Sequence, residues 1–529
     1  MFLQPATRTS TDHVNSPTGK TILVFARHLV PIDKLGDVKK MPFLLYLQGG
    51  PGFECRFPSS AHGGWIKIAF DKGFQVLLLD QRGTGMSTPV SAGTLSYMFG
   101  ENDQKKADYL KLFRADSIVR DCEVIREKVT EGRKESEGET KITLLGLSFG
   151  GFCVTTYLSL FPNSIKQALI TGGIPPPVSH PDSVYRALYP RILQRNRVYY
   201  AKYPQDVARV RLILSHLHSH PTALPNGGLL TIRRFLQLGI QFGFVGGHDT
   251  VHQVVLHACR DVVSFGKLQY KTLDEVQGLQ SWDTNVIYAI LHEQVYSQKS
   301  GGPTNWSAER VRGEEPWRED FEYRWEEIEK NVTRKESPVN FTGECIYPWM
   351  FDDYAELRPL KAVAELLAQY DGWTPLYDIA QLRRNTVPVA GRPARRPGPD
   401  RKLPVQAHSW RRGSVMRFNL RLRCLDLLNM CGRSLSNDIQ SQGKKRKPSL
   451  PPKLQKPMTT YIRHYCKKKD RGLKKSKAIG LASFSCCEIN MKEGWLAKWH
   501  KIITRIEKHL VETSANPNNT AQGFMANDG

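Results

Sequence analysis

The stretch Leu144-Leu145-Gly146-Leu147-Ser148-Phe149-Gly150-Gly151 decides the fold. The apolar run from Ile142 to Leu145 predicts a buried strand, and the apolar, β-branched and aromatic residues from Phe152 to Leu160 predict the helix leaving it. Gly-x-Ser-x-Gly between a strand and a helix makes a turn so tight that the serine backbone is strained. A β-carbon at Gly146 or Gly150 would collide with the chains that cross there. Such an elbow stands its serine hydroxyl at the top of a sheet, free to act as a nucleophile. Ser148 is therefore the candidate catalytic residue.

Upstream, Ile22 to Arg27, Phe43 to Leu47 and Phe74 to Leu79 read as strands, the last two short and mostly apolar, as strands buried on both faces are. These two stop at glycine-rich turns, Gln48-Gly49-Gly50-Pro51-Gly52 and Asp80-Gln81-Arg82-Gly83-Thr84-Gly85. Residues 1 to 19 are polar and expected to fray, Ala107 to Val129 has helical spacing, and Ala168 to Thr171 reads as the strand after the elbow helix. Strands alternating with helices, with glycine turns at the strand ends, predict a parallel sheet whose site lies along its carboxyl edge.

From about Val184 to Trp349 the texture changes to long amphipathic segments: Tyr185 to Leu217, Leu229 to Phe244, His248 to Val263 and Thr284 to Gln298. Inserted between sheet strands, they predict a helical cap that closes over the site. Leu357 to Tyr370 reads as a helix and Asn385 to Ala390 as the start of another core strand. The predicted class is α/β, an α/β-hydrolase parallel sheet with an inserted helical cap and a largely disordered basic tail. Its divisions are 1–183 for the first part of the core, 184–349 for the cap, 350–390 for the return to the core and 391–529 for the tail.

The net charge of +24 would point to nucleic acid if it were spread over the chain. It is not: 30 of the 75 Lys+Arg and 9 of the 51 Asp+Glu lie after residue 390, leaving 45 against 42 before it. The tail carries lysine clusters at 444–447, 467–469 and 474–477, no core pattern, and helical periodicity only from Trp495 to Leu510. It is expected to be disordered. Few aromatics interleave those lysines and no binding module is recognisable, so nucleic-acid binding through the tail is the weaker alternative. A shifted reading frame or a retained intron would explain the tail, since Arg, Pro, Ala and Gly from Gly391 to Pro399 are what a shifted frame in GC-rich DNA encodes, and sequencing the transcript across codon 390 tests that explanation.

The ten cysteines form no CxxC pair, which argues for reduced thiols and against a metal or disulfide framework. Arg8, Asp12, Lys20 and Arg27 interrupt the first thirty residues, and no apolar run reaches the roughly 18 residues of a membrane helix. A cytoplasmic protein without membrane contact, cofactor or metal is expected. The sequons at Asn305, Asn331 and Asn340 are then chance matches.

Four motifs stand in order: Gln48-Gly49-Gly50-Pro51-Gly52, Asp80 to Pro89 (DQRGTGMSTP), Gly146-Leu147-Ser148-Phe149-Gly150-Gly151 and Thr171-Gly172-Gly173-Ile174-Pro175-Pro176. Together they resemble the proline iminopeptidase family, serine aminopeptidases of the α/β-hydrolase fold. The likeness continues through Tyr200-Ala201-Lys202-Tyr203-Pro204, Trp282 to Tyr296 with His292-Glu293, Asn305 to Arg310, and Phe341-Thr342-Gly343-Glu344-Cys345 onward to Leu360. It covers about residues 15 to 390. Leu147 stands where the family more often has a polar residue, and Gln48 where many members have histidine.

The resemblance implies that Ser148 attacks the carbonyl of a peptide's first residue, preferentially proline. An oxyanion hole would come from the N–H of Phe149 and that of Gly49 or Gly50. Asp80 to Gly83 would brace the strand ends. A carboxylate must hold the free amino or imino group of the substrate, Glu293 first and Glu344 second. The family's aspartate and histidine should follow the strand begun at Thr386 to Ala390, yet no matching motif follows it. Asp400 and His408 sit in Arg/Pro-rich sequence, Asp352 and Asp353 look like helix-start residues, and His464 and His500 lie in the basic tail. The catalytic Asp and His therefore remain unassigned, and near-total inactivity is the expectation for the chain as written. Another α/β-hydrolase reaction, such as ester hydrolysis, is the further alternative.

Overall fold

The structure, a computed structural model, describes residues 2–11, 21–58, 64–135, 139–298, 301–330 and 337–392. The chain divides into two units, residues 1–424 with 500–529 and residues 425–499, and every described residue belongs to the first. The disorder expected of the tail and the helix expected from Trp495 to Leu510 lie outside the described residues.

Seven strands form one sheet: β1 (Phe2–Thr11), β2 (Thr21–Val30), β3 (Phe43–Leu47), β4 (Gln75–Asp80), β5 (Ile142–Leu147), β6 (Ile165–Thr171) and β7 (Val389–Arg392). Their order is β1-β2-β4-β3-β5-β6-β7. From β4 to β7 neighbours run parallel, while β2 is antiparallel to both β1 and β4. The sheet is thus mixed where a parallel one was expected. Residues 2–11 form a strand where fraying was expected, because pairing with β2 from Phe2↔Val30 to Thr11↔Thr21 satisfies the backbone without an apolar run.

Side chains of the central strands alternate between two cores, as a period of two requires. Leu45, Leu47, Leu77, Leu79, Ile142 and Leu144 face the helices Ala115–Val129 and Phe149–Leu160. Leu44, Tyr46, Val76, Leu78, Leu145 and Leu147 face Trp65, Ile66 and Ala69 of the helix Gly64–Asp71. Both faces being covered, the central strands are buried throughout, which is why they read as unbroken apolar runs.

Between β6 and β7 the chain is mainly helical and builds two further apolar cores. The segment expected as one helix from Tyr185 to Leu217 is two, Asp182–Lys202 and Asp206–Ser219. Pro204 forces the break by excluding helical backbone at Tyr203, which sits at φ −129°, ψ 69°. Likewise Ala107 to Val129 is divided, at an extended Arg114. The strand read from Asn385 starts only at Val389, since Asn385 spends its side chain on the amide and carbonyl of Val387.

Candidate functional site

Ser148 sits between β5 and the elbow helix at φ 51°, ψ −118°. Its amide donates to the Thr171 carbonyl at 2.9 Å and its own carbonyl accepts from the Gly151 amide at 2.8 Å, which fix the strained turn from both sides. The turn closes only because its neighbours are bare: a β-carbon on Gly150 would overlap the Leu47 carbonyl, and one on Gly173 the Ser148 carbonyl. Ser148 is half-buried, and its hydroxyl has no hydrogen-bond partner among the described residues.

The glycine turn after β3 lies against it. A β-carbon on Gly49 would stand 3.2 Å from Ser148 Cβ and 3.8 Å from its Oγ. Gln48 locks this turn: its Oε1 accepts from Tyr46 Oη at 2.7 Å and from the Gly49 amide at 3.0 Å, and its carbonyl accepts from Gln81 Nε2 at 3.0 Å. The Gly49 amide is thereby occupied. The amides of Gly50 and of Phe149, the first residue of the elbow helix, have no partner among the described residues. These unbonded amides belong to the glycine turn that packs on Ser148 and to the helix that Ser148 begins.

The segment Asp80 to Gly83 is a brace. Asp80 accepts from the Cys55 and Met86 amides, each at 3.0 Å, and Arg82 makes a bidentate pair with Asp121 at 2.7 and 2.6 Å, both side chains being 1% exposed.

Over the glycine turn lies the helix Val286–Leu291 with the 3-10 turn Gln294–Tyr296. Gly52 packs so closely on Ile287 that a β-carbon would stand 2.8 Å from Ile287 Cβ and 3.0 Å from the Tyr288 nitrogen. Phe53 meets Tyr288 edge-on at 5.6 Å, and Tyr296 meets Phe152 of the elbow helix at 5.6 Å. Aromatic rings therefore join the glycine turn to the elbow helix around Tyr288, His292 and Tyr296, three residues at a spacing of four. That spacing is visible in the sequence as helical periodicity within the Trp282 to Tyr296 stretch.

Of the two candidate carboxylates, Glu293 is buried, and its oxygens accept from the Ser307 and Ala308 amides at 3.0 and 2.8 Å. It receives the first two amides of the helix Ser307–Arg312, whose N-cap residue is Trp306, so both oxygens are engaged. Burial outweighs those bonds and pushes its carboxyl up to about 7. Glu293, expected first as the amino-group anchor, thus already has a partner on each oxygen. Glu344 is half-buried, with one oxygen accepting from Tyr288 Oη at 2.7 Å and the other carrying no bond among the described residues. Its charge reaches His292 and Tyr296.

The family model for the α/β hydrolase fold matches residues 42–215. A proline iminopeptidase of Aeromonas sobria is 44% identical over 382 residues, 72% of this chain and 81% of that one. The chain belongs to the proline iminopeptidase family. A second member, the proline iminopeptidase of Aspergillus aculeatus, is 41% identical over 377 residues, 71% of this chain and 79% of its own. The chain is thus a serine hydrolase of the aminopeptidase kind.

No histidine or carboxylate among the described residues bonds Ser148 Oγ. Asp353 is buried and accepts from Thr231 and both forks of Arg233, while Asp352 pairs with Lys361 at 2.6 Å, so neither is available as an orienting carboxylate. Four carboxylate–histidine pairs lie among the described residues between β6 and β7, Asp182 with His180 at 3.2 Å, Asp206 with His252 at 2.7 Å, Glu275 with His257 at 2.8 Å and Glu326 with His218 at 3.8 Å, and none is bonded to Ser148. Asp400, His408, His464 and His500 lie outside the described residues. Among the described residues no group of side chains could hold a metal, all five cysteines are free, and no helix is long and apolar enough to cross a membrane.

Proposed function

We propose that this chain carries the acyl-transfer site of an aminopeptidase that releases proline from peptide N-termini. The observation that carries the reading is Ser148 at φ 51°, its hydroxyl unbonded, at the start of the elbow helix and packed against the glycine turn at Gly49. Ser148 Oγ attacks the carbonyl carbon of the first residue. The oxygen of the resulting tetrahedral centre takes hydrogen bonds from Phe149 and Gly50, and its collapse expels the amine of the second residue and leaves a prolyl ester on Ser148, which water then hydrolyses. The unbonded Glu344 oxygen receives the substrate's protonated imino group, and the rings of Phe53, Tyr288, Tyr296 and Phe152 enclose the pyrrolidine. No described histidine is bonded to Ser148, and His13, His62, His408, His464, His500 and His509 lie outside the described residues. Free thiols at the described cysteines support a reducing, cytoplasmic setting.

The test is a ligand panel on the full chain: proline arylamide, N-acetylproline arylamide and a short p-nitrophenyl ester, for binding and turnover. The free imino compound is expected to bind best, and Glu344→Gln to weaken it by about 10- to 100-fold without affecting the other two. Preference for the acylated compound or the ester would overturn the aminopeptidase reading.

A further inference from the structure

The peptide unit between Gln48 and Gly49 is bonded at both ends, and one of those bonds is made by the side chain of Gln48 itself. Its oxygen accepts from Gln81 Nε2 at 3.0 Å, and its nitrogen, the Gly49 amide, donates to Gln48 Oε1 at 3.0 Å. The same Oε1 accepts from Tyr46 Oη at 2.7 Å, while Nε2 donates to the Glu54 carbonyl at 3.4 Å. One half-buried side chain thus ties the end of β3 to both the entry and the exit of the glycine turn. Those partners also settle which way its amide points, since the Gly49 N–H requires an acceptor and the Glu54 carbonyl a donor.

The turn needs such a tie because it has little stiffness of its own. Gly49 and Gly50 carry no β-carbon, so the peptide between them turns over readily, and turning it over withdraws the Gly50 N–H. Of the three residues that open the turn, Gly49 has its N–H taken, Pro51 has none, and Gly50 keeps the only one without a partner among the described residues. The elbow rests on the same main chain: a β-carbon on Gly150 would stand 2.0 Å from the Leu47 carbonyl oxygen and 3.1 Å from that of Gln48. Movement of the Gln48 peptide is therefore passed to the glycine turn and to the elbow at once.

We propose that Gln48 is a positioning residue for acyl transfer: by taking the Gly49 N–H on its own side-chain oxygen, it fixes the turn so that the Gly50 N–H is reserved for the oxyanion. This rests on the reading of Ser148 as the nucleophile and adds to it the residue that decides which glycine serves. Its part is indirect. Gln48 acts through the main chain on a donor whose bond strengthens only as the carbonyl carbon becomes tetrahedral.

The experiment is calorimetric titration of the full chain with two ligands. One is the boronic acid analogue of proline, whose Ser148 adduct carries an oxygen where the oxyanion forms; the other is L-prolinamide, whose carbonyl stays trigonal. Gln48→Met keeps the length of the side chain and removes its oxygen and its N–H groups, whereas Gln48→Glu keeps an oxygen for Gly49 and Tyr46. Boronate affinity should fall about 10- to 100-fold in Gln48→Met with prolinamide affinity unchanged, and should be largely retained in Gln48→Glu. A role confined to holding the fold together would lower both affinities alike or neither, and that outcome overturns the proposal. Should Gln48→Met not fold, amide NMR of the unaltered chain, labelled at its glycine nitrogens, decides: the boronate must shift the Gly50 signal, while the Gly49 amide exchanges slowly with and without it. A Gly50 signal that stays in place, or a Gly49 amide that exchanges freely, overturns this inference and leaves Ser148 standing as the nucleophile. A boronate that fails to add to Ser148 in the unaltered chain overturns the nucleophile and the inference together.

Discussion

Gly173 lies beneath Ser148 so closely that any β-carbon on it would occupy the position of the Ser148 carbonyl. The strand that follows the elbow helix thereby holds the nucleophile in its strained backbone, and the Ser148 amide bonded to Thr171 completes the grip. Gly173→Ala should push Ser148 off φ 51° and cost at least about 2 kcal/mol of stability, since buried backbone has nowhere to move. Gly36→Ala, where a β-carbon meets nothing within 4 Å, is the control and should stay within about 1 kcal/mol of the parent. Thermal unfolding of both variants measures the difference.

The buried pair of Arg82 and Asp121 fixes the turn that supports the Gln48 carbonyl through Gln81. Asp121→Ala strands a guanidinium in the core and should lose about 3–5 kcal/mol by denaturant unfolding. Replacing both residues with apolar ones of similar volume should recover most of that loss, because the penalty comes from the unpaired charge.

Glu293 gives the protein a pH signature. Its folded carboxyl titrates near 7 against an ordinary value of 4.5, so between these values the native state holds a proton that the unfolded chain has released. Stability contributed by this group is therefore complete below pH 4.5 and is lost as pH rises to about 7. Glu293→Gln should flatten the dependence of Tm on pH across that window. An equal slope in the variant would show that the carboxyl is not the source.

Much of this was legible in the residues themselves. A serine between glycines can follow an apolar strand in few ways, so the position of Ser148 and the fold around it follow from local sterics. Which of Glu293 and Glu344 keeps an unbonded oxygen was not legible, because the two differ only in what meets them. Trp306, in left-handed backbone at φ 57°, turns the Ser307 and Ala308 amides onto Glu293, a tertiary event with no trace in its neighbouring sequence. The first strand was equally hidden, being held by main-chain pairing to β2. Pro204, by contrast, announced the helix break and could have been read.

Turnover separates the site from its missing partners. With no motif after Ala390 matching the family's aspartate and histidine, proline arylamide hydrolysis should run about 10⁴- to 10⁶-fold below that of the Aeromonas sobria relative under the same conditions. Equal rates would show that the chain does hold a working base and carboxylate.

The most direct test of Ser148 as nucleophile is boron NMR of the full chain with the boronic acid analogue of proline, which adds to a serine oxygen to give a tetrahedral boronate. The account predicts a tetrahedral signal with the unaltered chain that disappears in Ser148→Ala. Boron that stays trigonal, or a tetrahedral signal that survives Ser148→Ala, would contradict it.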